Sequence, residues 1–134
     1  MIALDEQLEG LGLETAIARW YPGKITVIKK FRPDTLVKDD VIPVLLRQAK
    51  QATFVTINWV DFWRKFSADK RYCIVCFPFP HHRIKEIPDL LRQVLKLKQF
   101  KTKANRMGVV MRVTRDSVHY YRVNEPHQVY TLSI

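Results

Sequence analysis

The sequence predicts a three-layer α/β/α sandwich with a mostly parallel central sheet and a C-terminal β-hairpin. Three observations carry this. Short β-branched apolar runs alternate with helical patterns along most of the chain. The central runs are apolar without alternation, as parallel strands covered on both faces read. Near the end, GVVMRVT and SVHYYRV flank a tight Arg115-Asp116 turn.

The elements follow in order. MIAL reads as a short buried strand running into Asp5 and Glu6. LETAIARWYPG is a short helix pattern, with Leu11, Ile17, Ala18 and Tyr21 on one face, stopped by Pro22-Gly23. KITVIKKF, residues 24–31, is β-branched and reads as the second strand. A polar connection leads to VIPVLLRQA, a helix for which Asp40 is the expected N-cap, with Pro43 third in the helix. ATFVTIN, residues 52–58, is a buried strand, and VDFWRKFSADK a short helix or turn-helix. RYCIVCF is the fourth strand, and FPFPHHR is irregular because Pro78 and Pro80 interrupt it. IPDLLRQVLKLKQF is the clearest helix, with Leu90, Leu91, Val94 and Leu95 as its stripe. QVYTLSI reads as a final edge strand.

At 134 residues the chain is most simply one domain, able to bury a single core without staples. No apolar stretch approaches bilayer length, and no basic segment leads into a long apolar run at the N-terminus. The expectation is a cytoplasmic protein without a membrane partner. Cys73 and Cys76 have C-x-x-C spacing, but strand alternation points them to opposite faces, so they read as core rather than metal or redox residues. The net charge is +10 and uneven: residues 1–40 carry six Lys/Arg and seven Asp/Glu, residues 41–134 seventeen and six. Such an excess points to a polyanion, foremost nucleic acid, against the plainer reading of a solvated surface.

In an open α/β sheet, sites form beyond the carboxyl ends of the strands. Asp5 and Glu6 fall after the first strand, Asp39 and Asp40 enter the helix after the second, and Asn58 and Asp61 follow the third. This is a set of oxygen ligands suited to Mg²⁺ or Mn²⁺, which activate water and steady charge on a phosphate. Each residue also has a local reading as a cap or turn. His81 and His82 follow the fourth strand, where a histidine contacts a phosphate or shuttles a proton. Lys29 and Lys30 either hold substrate phosphates or neutralise the acids. Arg92, Lys96, Lys98, Lys101, Lys103 and Arg106 either track a phosphate backbone or form a wet helix face. Trp59, Phe62, Trp63 and Phe66 read as core or dimer interface, with Trp59 or Trp63 alternatively stacking on a base. No Gly-rich phosphate loop, nucleophile elbow or Ser-His-Asp pattern is present.

LDEQL at 4–8, a helix-entering Asp near 40, VTINWVDF at 55–62 and the late GVVMRVTRDSVHYYRV resemble the small bacterial PIN-like branch of the PIN-domain superfamily. The resemblance implies one PIN-like domain over 1–134 and a metal-dependent ribonuclease using Mg²⁺ or Mn²⁺, with the toxin of a toxin–antitoxin pair as the family's commonest context. RNA would then be the substrate and an acidic antitoxin a partner, while a homodimer would rest on the aromatic patch around Trp59 and Trp63. It implies Asp5, Asp40 and Asp61 as metal ligands and catalytic acids. Asn58 would position metal-bound water, and Glu6, Asp39, Thr56 and His81 would assist. The chain departs from the pattern at Asn58, where the branch has Asp, and in an additional residue before Asp61. The alternative is therefore a catalytically degenerate PIN-fold module that binds nucleic acid or a partner protein.

Overall fold

A computed structural model describes residues 1–33, 37–65 and 68–134, without the side chains of Arg64 and Lys65. Phe66 lies outside the described residues. Five parallel strands come first: β1 (Ile2–Leu4), β2 (Ile25–Val27), β3 (Ala52–Thr56), β4 (Tyr72–Cys76) and β5 (Val109–Val113). β6 (Ser117–Arg122) and β7 (Glu125–Ser133) add on as an antiparallel meander. The sheet order is β2-β1-β3-β4-β5-β6-β7.

Helices cover both faces, as the sequence predicts. α1 (Leu13–Ala18) and α3 (Ile87–Lys96) cover one face, and α2 (Ile42–Gln48) the other. Residue parity sorts the core into two layers. Ile2, Leu4, Val55 and Val75 meet Leu13, Ile17, Leu91 and Val94, while Ala3, Phe54, Ile74 and Val110 meet Ile42, Leu46 and Phe62. Every residue of β1, β3 and β4 is buried, which accounts for their continuous apolar runs. Cys73 and Cys76 fall in opposite core layers, and burial pushes both thiols well above their usual range, Cys73 to about 12.

Four local expectations change. Gly12, at φ +78°, caps α1, and Leu11 stays 42% exposed outside the helix. β2 ends at Val27, because Ile28–Phe31 winds into a 3₁₀ turn that buries Ile28. α2 is capped by Val41 without a side-chain hydrogen bond. Asp40 is therefore not the cap, and Pro43 is second in the helix rather than third. The segment after β3 forms a π-helix, Asp61–Lys65. Its wide turn carries Asp61 and buries Phe62 against Phe54, ring centroids 5.2 Å apart. Among the described residues no helix is long and apolar enough to cross a membrane.

Candidate functional site

From β1 the chain passes outward to β2, then crosses back to β3 on the other side of β1. The strand order therefore reverses between β1 and β3, the position at whose carboxyl edge open α/β sheets bind their ligands. Asp5 closes β1 there. Its backbone N–H donates to the Val55 carbonyl at 2.9 Å. Its Oδ1 accepts from the Glu6 N–H at 2.8 Å, capping the 3₁₀ turn Glu6–Leu8, and its Oδ2 accepts from the Thr56 hydroxyl at 2.6 Å. Asp5 is only 6% exposed, and burial raises its carboxyl above the ordinary value despite both hydrogen bonds.

The network continues through Thr56. Its hydroxyl oxygen accepts from the Asn58 backbone N–H at 3.0 Å. The Asn58 side-chain amide then donates to Asp39 Oδ2 at 3.1 Å and to Asp61 Oδ2 at 2.9 Å. One nitrogen thus lies between two carboxylates from different segments. The π-helix brings Asp61 round to it, and the turn before α2 brings Asp39. Of the two early acids, Asp39 and not Asp40 joins the network, since Asp40 is exposed. Glu6 contributes its backbone N–H rather than its carboxylate.

Among the described residues, no three acidic, histidine or cysteine side chains come together as metal ligands. The oxygen set at this edge is two carboxylates and an amide. Which end of an amide faces its neighbours is set by the network around it. Turned over, Asn58 presents Oδ1 beside Asp39 and Asp61, a hard oxygen set of the kind Mg²⁺ or Mn²⁺ takes with several waters. The donor chemistry fits such a cation, with one negative charge fewer than an Asp at 58 would supply.

Sequence reasoning passed over Arg112. It pairs in register with Cys76 at the carboxyl end of β4 and β5. Its guanidinium lies 5.1 Å from the Trp59 ring centroid and 5.9 Å from that of Trp63, which gives these half-buried rings a role within the fold. Its Nε is buried without an acceptor among the described residues. The available signal was an arginine inside an otherwise apolar strand.

The remaining candidates do not converge on this network. Lys30 pairs with Glu14 at 3.9 Å, Lys29 is exposed, and His81 is exposed at the start of the 3₁₀ turn His81–Glu86. Arg92, Lys96 and Lys101 lie at the opposite, amino edge, where α1 and α3 end, around a cavity that includes Trp20, Tyr21 and Arg106. Arg106 hydrogen-bonds Thr53, three residues back along β3 from Thr56, a span of about 10 Å. Lys98 lies on adjoining surface with Arg122. No protein-family model, curated protein or solved structure matches the chain.

Proposed function

We propose that the protein is a PIN-like metal-dependent ribonuclease working at the carboxyl edge between β1 and β3. The observation that carries this reading is the convergence of Asp39 and Asp61 on the single Asn58 amide, 3.1 and 2.9 Å away, at the point where the strand order reverses. Asp39, Asp61 and Asn58 would hold Mg²⁺ or Mn²⁺. A cation so bound lowers the pKa of its water and offsets charge developing on a phosphate. Asp5, kept partly desolvated and oriented by Thr56, stands beside this set as the residue to accept a proton. The Arg112 guanidinium, with its buried Nε lacking an acceptor among the described residues, is the candidate contact for a phosphate oxygen. The net charge of +10 suits RNA as substrate and an acidic antitoxin as partner.

A second reading is the catalytically degenerate module. The same Asn58 amide favours it, because its N–H groups already satisfy both carboxylates without a cation. Three measurements separate the readings: Mn²⁺ calorimetry on wild type and Asp61→Asn, binding of labelled single-stranded RNA, and cleavage of that RNA with and without chelator. The ribonuclease reading expects Mn²⁺ binding that the variant loses and cleavage that chelator stops. RNA binding with neither Mn²⁺ uptake nor cleavage establishes the degenerate module, and absence of all three sinks both.

A further inference from the structure

The amino edge holds a cavity of about 360 Å³ with no acidic residue in its wall. One side is aromatic, with Trp20 and Tyr21 edge-on at 6.1 Å between ring centroids. The other side is cationic, with Arg92, Lys101 and Lys103 exposed around Arg106. None of these four cations is in an ion pair with a described residue.

Arg106 is the decisive group. It is 3% exposed, and a guanidinium so deeply buried is ordinarily matched by a carboxylate. Here two neutral oxygens hold it instead. Nε donates to Thr53 Oγ1 at 3.0 Å and Nη1 to the Phe100 carbonyl at 3.1 Å, which leaves Nη2 with no acceptor among the described residues. α4 (Lys103–Arg106), capped by Thr102, fixes the residue, and β3 anchors its tip. The side chain is therefore both immobilised and short of a counter-charge. An anion entering the cavity supplies that charge, and Lys101, Lys103 and Arg92 stand around it at no cost in broken ion pairs.

We propose that this cavity is a binding site for a phosphate monoester attached to an aromatic base, with Arg106 as its floor, the lysines on the phosphate and Trp20 and Tyr21 against the ring. A guanidinium with free N–H groups suits phosphate oxygens, and stacked aromatic rings accept any base. The volume suits a mononucleotide-sized group. The phosphate comes either from a free nucleotide or from the 5′ end of an RNA. The site is independent of the carboxyl-edge reading, because it lies across the sheet from Asp39 and Asp61.

The test is calorimetry in chelator with adenosine 5′-monophosphate, adenosine and inorganic phosphate. Chelator silences any cation centre, so failure at one edge says nothing about the other. We expect the nucleotide to bind more tightly than either fragment. Exchanging both exposed lysines, Lys101→Ala with Lys103→Ala, should weaken it about tenfold, the scale of one lost charge-assisted contact. These lysines are on the surface, so the double variant tests the site even where Arg106→Met fails to fold. Adenosine binding as well as its phosphate, an unaffected double variant, or no nucleotide binding overturns the proposal. A 5′-phosphorylated oligoribonucleotide binding above the mononucleotide and above its 5′-hydroxyl form identifies an RNA end. The mononucleotide binding above the oligonucleotide identifies a free nucleotide.

Discussion

The acid cluster at the carboxyl edge of the sheet and the cation cluster at its amino edge stand in opposite states of satisfaction. At the carboxyl edge, acids are held by neutral donors: Asp5 by the Thr56 hydroxyl and an amide N–H, Asp61 by the Asn58 side chain. At the amino edge, cations surround a buried arginine with no acid among the described residues beside it. Helix direction explains the segregation of sign. The first turns of α1 and α3 bear Glu14 and Asp89, and α3 ends on Lys96, as the helix macrodipole favours. Charge at an edge is therefore weak evidence for a site. The state of pairing separates the two clusters: a cation between Asp39 and Asp61 must displace the Asn58 hydrogen bonds, whereas Arg106, like Arg112 at the other edge, keeps an N–H with no acceptor among the described residues.

The substitution that disturbs this contrast most is Asn58→Asp. It removes the donor shared by Asp39 and Asp61 and sets a third carboxylate against them. Losing two hydrogen bonds to charged groups and adding like-charge repulsion should cost about 3 kcal/mol in chelator. Mn²⁺ should restore most of that loss and bind the variant more tightly than wild type. Urea unfolding with and without Mn²⁺ measures both. A variant as stable as wild type in chelator would mean that the amide does not hold the two acids together.

The parallel sheet was legible because its central strands are buried on both faces and therefore read as unbroken apolar runs at 52–56 and 72–76. The edge on which the acids gather followed from chain order alone. Asp40 reads as the cap of α2, but the chain enters that helix through Val41 with no side-chain cap, and it is Asp39 that meets Asn58. Leu11 fits a helical stripe, but glycines with positive φ at 10 and 12 keep it off α1. Arg106 sits in KTKANRMG, a segment that reads as uniformly wet. Nothing in the letters separates the buried arginine from exposed Lys103, because its burial depends on a partner in β3, 53 residues away.

A smaller effect is expected inside the carboxyl-edge network. Thr56 is fully buried, and its hydroxyl both donates to Asp5 and accepts from Asn58. Thr56→Val keeps the shape and removes both functions. The cost should be about 2 kcal/mol, since a hydrogen bond to a buried carboxylate is lost. The raised carboxyl of Asp5 should rise further, followed by NMR titration of its side-chain carbon. An unchanged Asp5 titration would show that the short contact does not hold its charge.

The least disruptive changes act through pH, and two carboxyls, Asp5 and Glu86, slope in opposite directions. The Asp5 carboxyl is raised by burial above its usual 3.8, so the folded protein holds that proton longer than the unfolded chain. Its contribution is full below the unfolded value and is lost as pH rises through the folded one. Glu86, away from the site, is the reverse. Arg83 and Arg115 hold its carboxyl down from 4.5 to about 2, so its contribution is present above 4.5 and lost as pH falls towards 2. Urea unfolding between about pH 2 and 7 should therefore separate two variants. Asp5→Asn should remove the decline in stability above about pH 4, leaving its curve flatter than wild type towards neutrality. Glu86→Gln should instead flatten the acid limb and leave the neutral side unchanged. Parallel curves for wild type and Asp5→Asn above about pH 4 would mean that Asp5 is well solvated in the folded state.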